Sequence, residues 1–235
     1  MKIEFPPLLP ANKKELFERL RGVIQYGWYN MPLKYGGTGG PGMFLENLLG
    51  KTSDNQSFSD TTGWEVKSYT GKTHLITLFH KEARPERIMR DMVSKYGWKD
   101  KKGCLSFRHT IQGESDRFRV VDDSNQVFVR PLAVKSGGNP CWTHDDLLNA
   151  AAKLRKVLLV KAERRKQKVR FYQADCFEDF ALSCFIWELV RGTVAIDFDA
   201  REAKPGSVGL RNHGTKFRVS PDNMCRLYAK KDPFR

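Results

Sequence analysis

The sequence predicts a mixed α/β fold. Apolar runs of strand length alternate irregularly with runs of helical period, and no clean linker divides them. Hydrophobic residues make up 40% of 235 residues, enough to bury a substantial core. Asn12-Lys-Lys-Glu15 has the spacing of a capping box, and Leu16, Phe17, Leu20, Val23 and Ile24 form the helical stripe behind it. The glycine-rich run from Tyr35 to Gly42 leads into a helix from about Pro41 to Leu49, closed by Gly50. Those glycines suit a mobile loop and a close backbone approach to a partner. They do not make a P-loop, because Leu45 and Val66 stand where Gly50-Lys51-Thr52 and Gly71-Lys72-Thr73 would need an earlier glycine.

Residues 63–69 and 74–80 are expected to form a hairpin around Thr70-Gly71, with the apolar run Leu75-Ile-Thr-Leu-Phe79 as a central strand. Pro85 opens a helix that Gly97 ends, and strands follow near 105–110, 117–121 and 127–132. Thr143-His-Asp-Asp146 caps a helix running to Leu154. Strands at 157–160 and 169–173, a helix at 177–190 stopped by Gly192, a strand at 193–198 and a short helix from Pro221 complete the expected order.

The charge balance is 41 Lys+Arg against 27 Asp+Glu, a net +14. A chain this basic points to a polyanion, nucleic acid first, with a membrane surface or simple solubility charge as alternatives. Met1-Lys-Ile-Glu-Phe-Pro-Pro breaks before any leader-like apolar run, and no stretch approaches the ~20 apolar residues of a membrane span. The five cysteines (104, 141, 176, 184 and 225) are odd in number, scattered and without Cys-x-x-Cys. Buried free thiols in a reducing cytoplasm are the expectation. Lys153 through Arg170 is strongly basic and is either a DNA contact or a solvated surface segment.

The chemistry is concentrated in Asp60-Thr-Thr-Gly-Trp-Glu65-Val-Lys67. Side chains alternate along a strand, so Glu65 and Lys67 share a face while Val66 takes the other. Asp60, just before the strand, is expected to fold its carboxylate back towards Glu65. Two carboxylates beside one ammonium suit Mg²⁺ and an anionic substrate. Alone, the same residues would also make an ordinary exposed charge pattern.

Four stretches in order resemble the MvaI/BcnI type II restriction endonucleases, relatives of the MutH nickase within the PD-(D/E)xK nucleases. They are the Gly42–Gly50 helix with Glu46, the Asp60–Lys67 centre, Leu75 through Lys81, and Arg211 through Arg218. Ser59 stands where many such nucleases have proline. The resemblance implies a restriction-endonuclease-like core with a mixed central sheet flanked by helices, in a single domain. Two lobes, catalytic over about residues 1–140 and recognition over about 141–235, would hold DNA in a cleft.

It further implies a Mg²⁺-dependent enzyme, with Mn²⁺ as a substitute, that acts as a monomer on double-stranded DNA. It would cut a CCNGG-type site one strand at a time, without an obligatory protein partner, beside a cognate DNA methyltransferase. Asp60 and Glu65 would hold the metal, Lys67 would orient or activate the water, and Glu46 would add an acidic group. His80, Lys81, Arg211, Asn212, His213, Lys216 and Arg218 would contact DNA. The alternatives are a MutH-like nickase awaiting a repair partner and a non-catalytic DNA-binding module. His74, His109 and His144 are expected to be structural.

Overall fold

A computed structural model describes residues 8–52, 57–133 and 138–235. The proline-broken opening Met1–Pro7 therefore lies outside the described residues. In chain order the elements are α1 (Lys13–Tyr26), β1 (Trp28–Asn30), α2 (Gly40–Leu48), α3 (Phe58–Thr62), β2 (Glu65–Thr70), β3 (Ile76–His80) and α4 (Ile88–Tyr96). Next come β4 (Trp98–Lys99), β5 (Leu105–Ile111), β6 (Phe118–Asp123), β7 (Gln126–Pro131), β8 (Cys141–Thr143), α5 (His144–Ala151) and β9 (Lys156–Arg165). The chain ends with β10 (Lys168–Phe180), α6 (Leu182–Val190), β11 (Val194–Glu202), β12 (Leu210–Asn212), β13 (Lys216–Val219) and β14 (Tyr228–Pro233). Two compact units result, one from residues 1–74, 153–180 and 228–235, the other from 75–152 and 181–227.

The first unit is built on a sheet ordered β1-β10-β9-β2, with β14 also on β10. Its centre is β9, where Val157, Leu158, Leu159 and Val160 are all buried. A strand apolar on both faces needs cover on both, which is what a central position provides. β2 runs parallel to β9, pairing Glu65 with Val157 and Lys67 with Leu159, while the other pairs in this sheet are antiparallel. Helix α1 opens on Asn12, whose side chain accepts from the Glu15 amide, while Glu15 Oε2 accepts from the Ala11 amide. Leu16, Leu20 and Val23 of α1 join Phe44, Leu45 and Leu48 of α2 in one core with Trp64 and Val66.

The second unit holds a sheet ordered β3-β13-β11-β5-β4, with β12 on β11, and a smaller one ordered β6-β7-β8. Phe79, Phe217, Phe185 and Trp142 pack ring against ring in its core, with Phe79 and Phe217 stacked at 4.8 Å. Thr143 and Asp146 cap α5 reciprocally. Asp146 is almost wholly buried and also binds Lys81 Nζ at 3.0 Å and Arg84 Nε at 2.8 Å. Burial alone would push this carboxyl up; the Lys81, Arg84 and Thr143 hydrogen bonds outweigh it and hold it at about 2. Such a depressed group stabilises the fold above its unfolded value near ~4, and the gain is lost as pH falls through the folded value. Asp146→Asn is expected to cost about 2–3 kcal/mol at pH 7 and little at pH 2, read by urea unfolding at both.

Several expectations are corrected. Residues 63–69 and 74–80 form no hairpin: β2 pairs with β9 in the first unit and β3 with β13 in the second. The run 75–79 is an edge strand, apolar because its buried face packs on the phenylalanine core. Pro85 leads a turn closed by Ile88 N–H to Pro85 C=O at 3.0 Å, and α4 begins only after Arg87, whose φ is +69°. Residues 177–180 extend β10 instead of opening α6, because β14 offers them a ladder from Tyr228 to Pro233. A division near residue 140 also differs from the observed units, since β9 and β10 complete the sheet that carries β2.

Candidate active site

In the first unit, β2 presents Glu65 and Lys67 on one face while Val66 is buried on the other, as strand alternation requires. Lys67 Nζ stands 3.5 Å from Glu65 Oε1, and both side chains are largely buried. A second ammonium, Lys153 Nζ, lies 3.8 Å from the same oxygen. Lys153 lies within the short 3₁₀ turn Ala152–Leu154 that leads into β9, so the parallel β2/β9 pairing is what brings it to Glu65.

Helix α2 brings Glu46 over β2. The start of the helix needs glycine, since a Cβ on Gly40 would lie 1.6 Å from the Tyr35 carbonyl oxygen, whereas one on Gly42 would meet Ser68 Oγ of β2 in ordinary contact at 3.4 Å. Gly50 ends the helical segment in left-handed backbone at φ +103°. Glu46 is held by Lys51 at 2.8 Å, and its charge is felt at Lys67. Burial pushes the Lys67 ammonium below its ordinary value; Glu65 and Glu46 oppose that shift and Lys153 adds to it. Tyr228 completes the surroundings. Its buried hydroxyl has no hydrogen-bond partner among the described residues, and burial with the nearby Glu65 charge drives its pKa well up.

Asp60 is placed differently. It lies in the first turn of α3, exposed, and makes no ion pair among the described residues. The structure thus gathers Glu46, Glu65 and Lys67 and leaves Asp60 outside their contacts. Among the described residues no three His, Cys, Asp or Glu side chains converge as a metal cage. The donors nevertheless suit Mg²⁺ in its sparse mode, in which one or two carboxylates bind and water and substrate phosphate complete the shell.

The expected DNA contacts lie in the second unit. His80, at the end of β3, pairs in register with Lys216 of β13, and His80, Arg211, Asn212 and His213 are exposed. Lys216 Nζ lies 3.8 Å from Asp199, which also takes Arg108 Nε at 3.1 Å. Lys81 is engaged with Asp146. Arg218 is tied to Asp197 at 3.0 Å and to the Leu75 carbonyl at 3.1 Å, so it braces β13 against β11 and the segment that leads into β3.

Lys153, Arg108, Asp199 and Glu82 escaped the sequence reading as site members. Only Lys153 carried a signal, as part of the basic segment. The rest of that segment is largely committed within the chain: Arg164 donates to the Gly36 and Gly37 carbonyls at 2.8 and 2.9 Å, and Arg165 and Arg170 flank Trp28. The glycine run therefore meets its own chain closely.

The sequence model of the MvaI/BcnI restriction endonuclease family matches residues 17–228. The fold is similar to that of a restriction endonuclease MvaI–cognate DNA substrate complex, at 22% identity and a TM-score of 0.79, covering 94% of this chain and 98% of that one. It is also similar to restriction endonuclease MvaI in the absence of DNA, at 22% identity and a TM-score of 0.59, covering 94% and 97%. No curated protein matches this chain. No helix of the described residues is long and apolar enough to cross a membrane. A family match over nearly the whole length, with Glu65 and Lys67 side by side within it, leads to one conclusion: this chain belongs to the MvaI/BcnI restriction endonuclease family.

Proposed function

We propose that this protein hydrolyses phosphodiester bonds of double-stranded DNA at a short CCNGG-type site, as a Mg²⁺-dependent monomer that cuts one strand at a time. The single observation that carries the chemistry is the Glu65–Lys67 contact at 3.5 Å at the start of β2, with Glu46 and Lys153 beside it. Asp60 and Glu65 are the proposed holders of Mg²⁺, or of Mn²⁺ in its place. Such an ion, when bound, polarises the scissile phosphate and acidifies a bound water.

Lys67 orients the attacking water and stabilises charge developing on the phosphoryl oxygens. Its partly dehydrated ammonium makes that interaction stronger than it would be in water. Lys153 holds Glu65 in place when Lys67 turns to the phosphate. Glu46 holds the local charge near balance against Lys51 and Lys67.

Recognition falls to His80, Lys81, Arg211, Asn212, His213 and Lys216. Arg and Lys suit guanine O6 and N7, and an acidic side chain such as Asp199 suits cytosine N4, a combination that matches a G/C-rich site. The products are a 3′-hydroxyl and a 5′-phosphate. The expected setting is the cytoplasm, with a methyltransferase protecting the same site.

A supercoiled plasmid of known sequence, digested with Mg²⁺, Mn²⁺ or EDTA and end-mapped, tests this. Linear fragments at discrete sites with either ion, and none in EDTA, are expected. Open circles alone would turn the reading to a nickase. Binding that ignores chelator, with no cutting under any ion, would leave only a DNA-binding module.

A further inference from the structure

We propose that Glu82 is a positioning residue for sequence recognition, clamping the 211–216 segment in the conformation that reads DNA; this rests on the DNA-cleaving reading above. Glu82 lies two residues past His80, the last residue of β3, and is exposed. Its carboxylate accepts from Asn212 Nδ2 at 2.9 Å through one oxygen and from the Thr215 amide at 3.1 Å through the other. Asn212 Oδ1 in turn accepts from the Gly214 amide at 3.0 Å. Lys81 N–H donates to the Thr215 carbonyl at 3.1 Å, and His213 N–H to that of Asp199 at 2.9 Å.

The segment is thereby fixed at both ends and across its turn, with Thr215 wholly buried. Gly214 turns in left-handed backbone at φ +85°, and a Cβ there would lie 3.2 Å from Glu82 Oε1 and 3.3 Å from His80 Nδ1. The clamp also sets the amide of Asn212, fixing its Nδ2 on Glu82 and its Oδ1 on the Gly214 amide.

The sign of the charge makes the case sharper. In a chain of net +14, an exposed carboxylate among Lys81, Arg211, His213 and Lys216 opposes phosphate binding. A plain surface acid would therefore weaken binding to all DNA equally. A clamp instead shapes the groups that face base edges, and base contacts, not phosphate contacts, carry specificity. The two roles predict opposite consequences of removing the charge.

The test compares the full-length wild type with Glu82→Gln and Gly214→Ala, in Ca²⁺ to suppress cutting. The probes are a duplex carrying the site mapped by wild-type digestion and one of equal length and composition without it. Glu82→Gln keeps the size of the side chain but turns an N–H donor towards a donor, either Asn212 Nδ2 or the Thr215 amide. Affinity for the mapped site is expected to fall about tenfold or more, the scale of one misread base pair, while affinity for the other duplex holds or rises. Gly214→Ala is expected to give the same pattern by displacing the turn.

Joint strengthening on both duplexes, or unchanged discrimination in both variants, would overturn the clamp and leave the cleavage reading intact. A wild type that cuts no DNA would remove the cleavage reading first, and the clamp with it.

Discussion

Lys67→Ala is expected to reduce cleavage by at least about 10²–10³-fold, the loss seen when one preorganised transition-state donor is removed. Binding to the mapped site in Ca²⁺ should stay within a few-fold, because Lys67 is buried beside Glu65 and the proposed base contacts lie in the other unit. Stability separates this from a structural defect. A dehydrated ammonium is costly to bury, and Glu65 keeps Lys153 at 3.8 Å when Lys67 is gone. Urea midpoints near the wild-type value are therefore expected together with a collapsed single-turnover rate. Near-normal cutting by Lys67→Ala would remove the proposed mechanism and pass the role of the ammonium to Lys153, the second cation beside Glu65.

Much of this centre was legible because it depends on period-two alternation alone. Once residues 65–70 form a strand, Glu65 and Lys67 must share a face, whatever the sheet does. The capped starts of α1 and α5 were legible for a similar reason, since Asn12 and Thr143 act within one turn of their own helices. What was hidden depends on pairing between distant segments. Parallel strands are joined by long crossovers, and residues 75–152 lie between β2 and β9 without a marker of that insertion. Lys153 could not be tied to Glu65 without that pairing, nor Glu82 to Asn212 without the β3/β13 ladder.

The misplaced start of the helix expected at 177–190 shows the same limit from the other side. Phe177 and Phe180 are as compatible with a helical stripe as with a strand. The β14 partner decides, and β14 is itself a polar run, Tyr-Ala-Lys-Lys-Asp-Pro, with no strand signature of its own.

Asp60→Asn is the sharper experiment, because here the motif and the geometry make separate statements. By the motif, Asp60 is a metal-holding carboxylate, and its loss should lower cleavage by about 10²–10³-fold with Mg²⁺. By the geometry, Asp60 is exposed on α3 and pairs with nothing described, so its loss should move stability by no more than about 0.5 kcal/mol. A large loss of rate at unchanged stability would mean that Asp60 acts only when ion and DNA are present, drawn towards Glu65 by the cation they share. Glu46→Gln, which also breaks the 2.8 Å pair with Lys51, serves as the contrast and is expected to lower both rate and stability. If Asp60→Asn instead cuts at the wild-type rate, the acidic pair of this centre is Glu46 with Glu65, already gathered around Lys67, and Asp60 has no part in the chemistry.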